Sequence, residues 1–352
     1  MNAEPRPLDG VILLFGGTSS ERRVSVASAQ HLARAFDAAD PVPSCWFWDS
    51  DGAVVEAHPA ELLGMEQPFE TEFRTNGERH WPDLPTALDA GARRDGVFLL
   101  ALHGGAGEDG TVQRWLEDRR LAFTGTGSEA SAHAFDKALA QEIVWSHGLR
   151  VPESCVIDGR DLFRAGEVLE MLLDRHGKAV LKPVADGSGL GLCIVRDPSD
   201  LEKAIDALRA SPTVGHLAEA FVDGVELTVG VIDGPDGARA LPCSEVRIAP
   251  GRAFDFAAKY LGRGAIEITP AEVDPKVARN AQDAALVAHR ALGCYGYSRT
   301  DLIADESGAV FLETNTLPGL TGASFLPQQL DAADIPLRSF IADQIALARK
   351  RR

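Results

Sequence analysis

The sequence predicts an α/β protein whose N-terminal part is built on a mostly parallel sheet. Residues 11–15 and 97–102 are short continuous apolar runs, the pattern of buried strands. Each run ends in a glycine loop, Gly16-Gly17-Thr18-Ser19-Ser20 and His103-Gly104-Gly105-Ala106-Gly107. Helical periodicity follows each loop, over residues 21–36 and 111–119. Repeated strand–loop–helix units imply parallel strands. Ligands of such sheets bind beyond the C-terminal strand ends, where both loops lie.

The chain has 352 residues, so two or three domains are expected. A hydrophobic content of 45% is enough for sizeable cores. A formal net charge of −17 argues against nucleic acid or an anionic membrane as partner. Residues 1–5 carry no basic n-region, the run at 11–15 is too short for a signal peptide, and no stretch reaches the length of a membrane span. Cys45, Cys155, Cys193, Cys243 and Cys294 are scattered without a CxxC, as in a reduced cytoplasmic protein.

Residues 40–95 place Trp46, Trp48 and Trp81 among acidic and turn-forming residues, and read as an elaboration of the first domain. Gly125-Thr126-Gly127-Ser128 punctuates the chain, and a helix over 131–147 opens a second domain. Residues 179–183 and 192–196 read as strands flanking a loop that holds Gly187, Gly189 and Gly191. A third block starts near His216. The expected domains are therefore 1–127, 128–216 and 217–352.

The densest chemistry lies in residues 297–303 and 310–315. Both read as strands, and Asp305-Glu306-Ser307-Gly308 between them is turn chemistry, so a hairpin is expected. Glu313 and Asn315 share a face, and the hairpin brings Asp301 beside them. Two carboxylates and an amide oxygen suit Mg²⁺ shared with substrate phosphates. Two solvated acids on an edge strand are the plainer alternative, but these acids lie inside apolar strands rather than in the turn. The loop at 187–191 can wrap phosphate oxygens with its N–H groups. It is not a P-loop, because a strand follows it and no GxxxxGK[ST] is present. Lys182 sits in an apolar strand and needs an anionic partner. Lys137 opens a helix, and on its own it reads equally as a solvated surface lysine. Thr18-Ser19-Ser20-Glu21 fits a capping box, in which Glu21 would cap its own helix.

Several of these segments, in order, resemble the D-alanine–D-alanine ligase family of ATP-grasp enzymes. They are Gly16-Gly17-Thr18-Ser19-Ser20-Glu21-Arg22, Leu102-His103-Gly104-Gly105, Gly107-Glu108-Asp109-Gly110 and Asp136-Lys137, then Lys182-Pro183 with Gly187-Ser188, and Ala258-Lys259-Tyr260. Gly296-Tyr297-Ser298-Arg299-Thr300-Asp301 and the run from Glu313 to Thr321 complete the set. The resemblance implies a Rossmann-like first domain followed by a two-lobed ATP-grasp fold. It also implies a cytoplasmic ligase that joins two D-alanine molecules for peptidoglycan synthesis, is usually a homodimer, and uses ATP with two Mg²⁺ ions (Mn²⁺ as a substitute).

By the same resemblance, Lys137 and Lys182 would contact the ATP phosphates, Lys259 would reach phosphate or acyl phosphate, Glu219 and Glu226 would contact adenosine, and Asp301, Glu313 and Asn315 would ligate metal. The resemblance implies two steps, an acyl phosphate formed from one D-alanine and then attacked by the amine of another. Arg299 and the N–H of Gly319 would face the oxyanion of the second, although glycine after Pro318 is also ordinary turn chemistry. Glu21, Ser188 and Tyr260 would form the network that handles the amine proton. His103 would lie beside the first substrate, or be a satisfied structural histidine. Ser324 and the Phe325 backbone would bind the second substrate's carboxylate. Gly189 stands where many members have serine, and Ala220 where lysine is common. These departures could loosen the loop over the phosphates and weaken nucleotide affinity. The Lys259-Tyr260 pair favours an amine over a hydroxyl nucleophile. A ligase with another second substrate or a specialised dipeptide product is the same-fold alternative, and a non-catalytic nucleotide-binding regulator the alternative of another class.

Overall fold

A computed structural model describes residues 8–77, 79–91, 96–185, 191–210, 215–248 and 265–351. The first unit contains β1 (Val11–Gly16), α1 (Arg22–Arg34), β2 (Ser44–Trp48), β3 (Val54–Ala57), α2 (Pro59–Leu63), β4 (Arg79–Trp81), α3 (Leu84–Gly91), β5 (Val97–Leu102), α4 (Thr111–Asp118) and β6 (Ala122–Phe123). Its sheet runs β4-β3-β2-β1-β5-β6. Neighbours from β2 to β6 are parallel, while β3 and β4 join antiparallel at one edge. Gly16 pairs with Leu102, so both glycine loops leave the sheet at one level.

The elaboration expected over 40–95 is corrected at its start. Strand β2 is a core strand beside β1, with Trp46, Phe47 and Trp48 buried. Trp46 packs 4.9 Å from Trp81 and 5.6 Å from Phe98 between ring centroids. An aromatic strand between proline and aspartate hides its pattern from an aliphatic template.

Next come α5 (Ser128–Phe135) and α6 (Lys137–Ser146). The single helix expected over 131–147 is broken at Asp136, which is extended and caps α6 by accepting from Leu139 N at 3.0 Å. The middle sheet follows, with β7 (Ser154–Asp158), α7 (Leu162–His176), β8 (Ala179–Pro183), β9 (Cys193–Val195), α8 (Pro198–Ala210) and β10 (Gly215–Ala220). Its order is β7-β10-β8-β9, all antiparallel. Strand β10 is interior to this sheet, so a boundary after residue 216 falls inside one of its strands.

The last part holds β11 (Val225–Gly234), β12 (Gly237–Ala240), β13 (Ser244–Ile248), β14 (Ala265–Ile268), α9 (Pro275–Ala291), β15 (Tyr297–Asp305), β16 (Gly308–Asn315), α10 (Phe325–Ala332) and α11 (Leu337–Lys350). The sheet order is β14-β13-β11-β15-β16, with β12 also on β11. Ala134 of α5 and Ala140 and Val144 of α6 share its core with α9, so these two helices pack on the third sheet. Leu326, Leu330, Phe340, Ile341 and Ile345 of α10 and α11 instead share one core with the N-terminal sheet, as do Leu317 and Leu320. This merger carries Leu317 against the His103 loop and residues 320–322 against α1. Among the described residues, no helix is long and apolar enough to cross a membrane. All five cysteines are free, and burial pushes the Cys45 thiol up to about 12.

Candidate active site

Strands β15 and β16 form the expected hairpin. Arg299 pairs with Asn315 and Asp301 with Glu313, and the turn closes through Asp305 and Gly308. Cross-strand partners share a face, so these four polar side chains stand together. Thr300 and Thr314 lie on the opposite, buried face, with their hydroxyls 2.9 Å apart. A register shift beyond Asp301 pairs Leu302 with Phe311. The polar pairs are thus confined to one end of the hairpin, the end that meets α6. There, Lys137 Nζ lies 3.5 Å from Glu313 Oε2. Lys137 is buried, which overturns its reading as a solvated surface lysine.

Asp301 is held from two sides. Arg299 donates to it through Nε at 2.9 Å and Nη2 at 2.8 Å, and Thr228 Oγ1 donates at 2.6 Å from the neighbouring β11. The fork-to-carboxylate pairing fixes the plane of the guanidinium. That guanidinium also lies 5.8 Å from the centre of the Phe325 ring. Asn315 Nδ2 is buried without a hydrogen-bond partner among the described residues. A buried N–H₂ without an acceptor fits a bound group that brings an oxygen to it, such as a substrate phosphate. The donor set is all oxygen, which matches Mg²⁺. Among the described residues, no set of three or more His, Cys, Asp or Glu side chains gathers as a metal cage. The hairpin therefore offers a partial set, of the kind completed by substrate oxygens.

On the middle sheet, Lys182 Nζ and Glu219 Oε1 are 2.6 Å apart, both buried. Glu219 Oε2 accepts from Gln141 Nε2 at 2.9 Å, and Gln141 Oε1 accepts from Ser154 Oγ at 3.0 Å. The anionic partner that a lysine in this strand requires is Glu219. The two candidate ATP contacts thus compensate each other's charge.

At the glycine loops, helix α1 begins at Arg22 with Glu21 as its N-cap and no side-chain cap. The expected capping box is overturned, because Glu21 sits at the cap position itself rather than inside the first turn. Its backbone N–H donates to Ser19 Oγ at 3.2 Å. Its carboxylate is buried against the second loop, where a Cβ on Gly104 would stand 2.6 Å from Glu21 Oε2. Glycine at 104, with φ of +68, is what lets the two loops close on each other.

His103 bridges distant segments. Its Nδ1 lies 3.1 Å from the Leu317 carbonyl and its Nε2 2.9 Å from Ser28 Oγ. A carbonyl only accepts, so Nδ1 carries a proton, and in the neutral ring Nε2 accepts from the Ser28 hydroxyl. Ser28 Oγ in turn accepts from Leu320 N at 3.3 Å. Glu108 Oε1 stands 3.6 Å from Nδ1. The chain Leu320–Ser28–His103–Leu317 encloses Pro318 and Gly319. Ser324 Oγ lies 2.8 Å from Thr321 Oγ1 and accepts from Thr321 N at 3.2 Å. A Cβ at Gly319 would meet Ser324 Oγ at 2.6 Å.

The structure therefore gathers Arg299, Asp301, Glu313, Asn315 and Lys137, pairs Lys182 with Glu219, and sets Gly319 beside Ser324. Glu226 lies on β11 two residues before Thr228, on the same face. Ser188, Lys259 and Tyr260 fall outside the described residues, as does Gly189. Sequence reasoning missed Thr228, Ser28 and Gln141. The alternation Glu226-Leu227-Thr228 was a usable signal for the first. Ser28 and Gln141 are ordinary helical residues until their partners are known.

Family models for the N-terminus and the C-terminus of D-ala D-ala ligase match residues 10–126 and 144–346. A D-alanine–D-alanine ligase of Leptospira interrogans is 33% identical, covering 97% of this chain and 98% of its own. A D-alanine–D-alanine ligase of Bacillus anthracis, solved in complex with ATP, aligns with TM-score 0.71 at 25% identity over 97% of each chain. A D-Ala:D-Ser ligase of Enterococcus faecalis aligns with TM-score 0.78 at 24% identity, covering 96% of this chain and 98% of its own, so this fold serves more than one second substrate. Matched by the family's models at both ends and one-third identical to a full-length member, the chain belongs to the D-alanine–D-alanine ligase family of ATP-dependent ligases.

Proposed function

We propose that this chain joins two D-alanine molecules into D-alanyl-D-alanine, cleaving ATP to ADP and phosphate, as a cytoplasmic homodimer that feeds peptidoglycan synthesis. The observation that carries this is the shared face of Arg299, Asp301, Glu313 and Asn315 with Lys137 against it. That face combines an oxygen donor set with a fixed cation, as phosphoryl transfer demands. In the first step the carboxylate of one D-alanine attacks the γ-phosphorus, and ADP leaves. In the second step the amine of the other attacks the resulting acyl phosphate at carbon, and phosphate leaves.

Lys137, Lys182 and Lys259 neutralise the phosphates, and Lys182 turns from Glu219 toward the incoming anion. Glu219 and Glu226 hold the adenosine. Asp301, Glu313 and Asn315 would hold Mg²⁺, which when bound supplies further charge neutralisation on the transferred group. Glu21 pairs with the ammonium of the first substrate beside Gly104 and His103, and with Ser188 and Tyr260 it handles the proton of the attacking amine. Arg299, oriented by Asp301, and the N–H of Gly319 stabilise the oxyanion. Ser324 and the start of α10 bind the second carboxylate, where helix N–H groups favour an anion.

The test is phosphate release across D-amino and D-hydroxy acids with product mass recorded. D-alanine alone should give the dipeptide, one phosphate per product. Release only with a different second substrate would reassign that subsite. No release with any pair would leave a nucleotide-binding protein without turnover.

A further inference from the structure

Gln329 of α10 is fully buried and uses its whole carboxamide on the third sheet. Its Oε1 accepts from Gly230 N at 2.8 Å, and its Nε2 donates to the Thr228 carbonyl and to Ser244 Oγ, both at 2.9 Å. Strand β11 changes partner here. Through Thr228 it pairs with Ser244 of β13, and from Val231 it pairs with Ala240 of β12. The side-chain amide accepts from Gly230 N–H and donates to Thr228 C=O, as the N–H and C=O of one residue of a parallel neighbouring strand would around Val229. This is a built joint, with both ends of the amide satisfied inside the core.

Each end of the joint leads to a different subsite. Thr228 is opposite Asp301 in the β11–β15 ladder and donates to its Oδ1 at 2.6 Å. Gln329 lies about one helical turn beyond Ser324 and Phe325. We infer that Gln329 is a positioning residue that sets the start of α10 relative to Asp301, so that the second-substrate subsite and the metal-ligating carboxylate keep one spacing. This rests on the ligase reading above for the names of the two subsites. The joint itself does not.

Three variants separate the possibilities. Gln329→Met keeps the length and removes both bonds to β11. Thr228→Val keeps the backbone joint and removes only the hydroxyl on Asp301. Ser244→Ala removes a side branch of the network. In Gln329→Met, the Mg²⁺ concentration for half-maximal rate and the KM of the second D-alanine should each rise about fivefold or more, with the ATP KM nearly unchanged. In Thr228→Val only the metal requirement should rise, and Ser244→Ala should match the parent. Independently of turnover, amide exchange at residues 228–230 should quicken about tenfold in Gln329→Met, and Mn²⁺ binding in the presence of ADP should weaken. Unchanged exchange and unchanged Mn²⁺ binding in a folded Gln329→Met variant would overturn the inference even if the ligase reading holds. If Gln329→Met does not fold, a Thr228→Val variant with unaltered Mn²⁺ binding overturns it equally.

Discussion

In the β15–β16 hairpin, Asp301 meets Glu313 because two strands pair across a two-residue turn. At the glycine loops, His103 meets the Leu317 carbonyl across 214 residues, because α10 and α11 have merged into the N-terminal core. The first site is made by local register and the second by docking of distant parts. Chemistry and stability are therefore separable in the hairpin and joined at the loops. Substitutions on the hairpin's polar face should remove rate and leave the fold, whereas substitutions around His103 should disturb both.

The sharpest way to break this contrast is Glu313→Gln. It removes one charge beside Lys137 with little change of shape, and turnover should fall about 10²-fold or more with the melting temperature held. A large loss of stability, or near-normal turnover at saturating Mg²⁺, would refute the hairpin half of the comparison. Arg299→Lys comes next. It keeps the charge but loses the planar fork that Asp301 orients. We expect kcat to fall about tenfold or more with KM little changed, because the contact strengthens as the oxyanion forms. A pure KM effect would move Arg299 to ground-state binding.

Glu21→Gln sharpens the loop half. Glu21 is buried against the Gly104 loop, so removing its charge should also cost some stability, less than at His103. The variant should lose affinity for the first D-alanine about tenfold, with ATP binding spared, because a buried ammonium without its counter-charge is costly. Unaltered kinetics for both D-alanine sites would exclude the role. His103→Leu should then show the joined behaviour. Ser28 and the Leu317 carbonyl lose their partner, so stability should drop by about 1–3 kcal/mol together with first-substrate affinity. A variant that loses only one of the two would show that the loops do not couple them.

The hairpin was legible in the sequence because its signals are local. Apolar runs, a turn at 305–308 and acids at fixed spacing are enough to place Asp301, Glu313 and Asn315 together. The parallel core strands β1 and β5 and their glycine loops were legible for the same reason. The partners of His103 were not, since nothing near residue 103 points to residues 28 or 317. The break at Asp136 was half legible: Lys137 read as the start of a helix while a helix over 131–147 ran across it, and the capping bond from Leu139 N to Asp136 decides between them. Strand β10 was set in the wrong block because its pairing with β7 and β8 spans most of the middle sheet.

The smallest effect tests whether the turn end of the hairpin is merely structural. Arg150 donates to both Asp305 oxygens, at 2.7 and 2.8 Å, and holds the Asp305 carboxyl down at about 2. A depressed carboxyl contributes stability above its unfolded value of about 4, and that contribution is lost as pH falls toward 2. Arg150→Met should therefore cost about 0.5–1 kcal/mol at neutral pH, with the difference from the parent closing between pH 4 and about 2 and turnover unchanged. A deficit that persists at pH 2 would assign the loss to packing rather than to the ion pair.

An acyl phosphate made from D-alanine and ATP moves one carboxylate oxygen onto phosphorus, and isotope transfer follows that oxygen. D-Alanine labelled with ¹⁸O in its carboxylate is turned over with ATP, and the released phosphate and nucleotide are weighed. Attack of the carboxylate on the γ-phosphorus leaves one labelled oxygen in each phosphate released and none in ADP. Unlabelled phosphate, or label recovered in AMP, would contradict the mechanism.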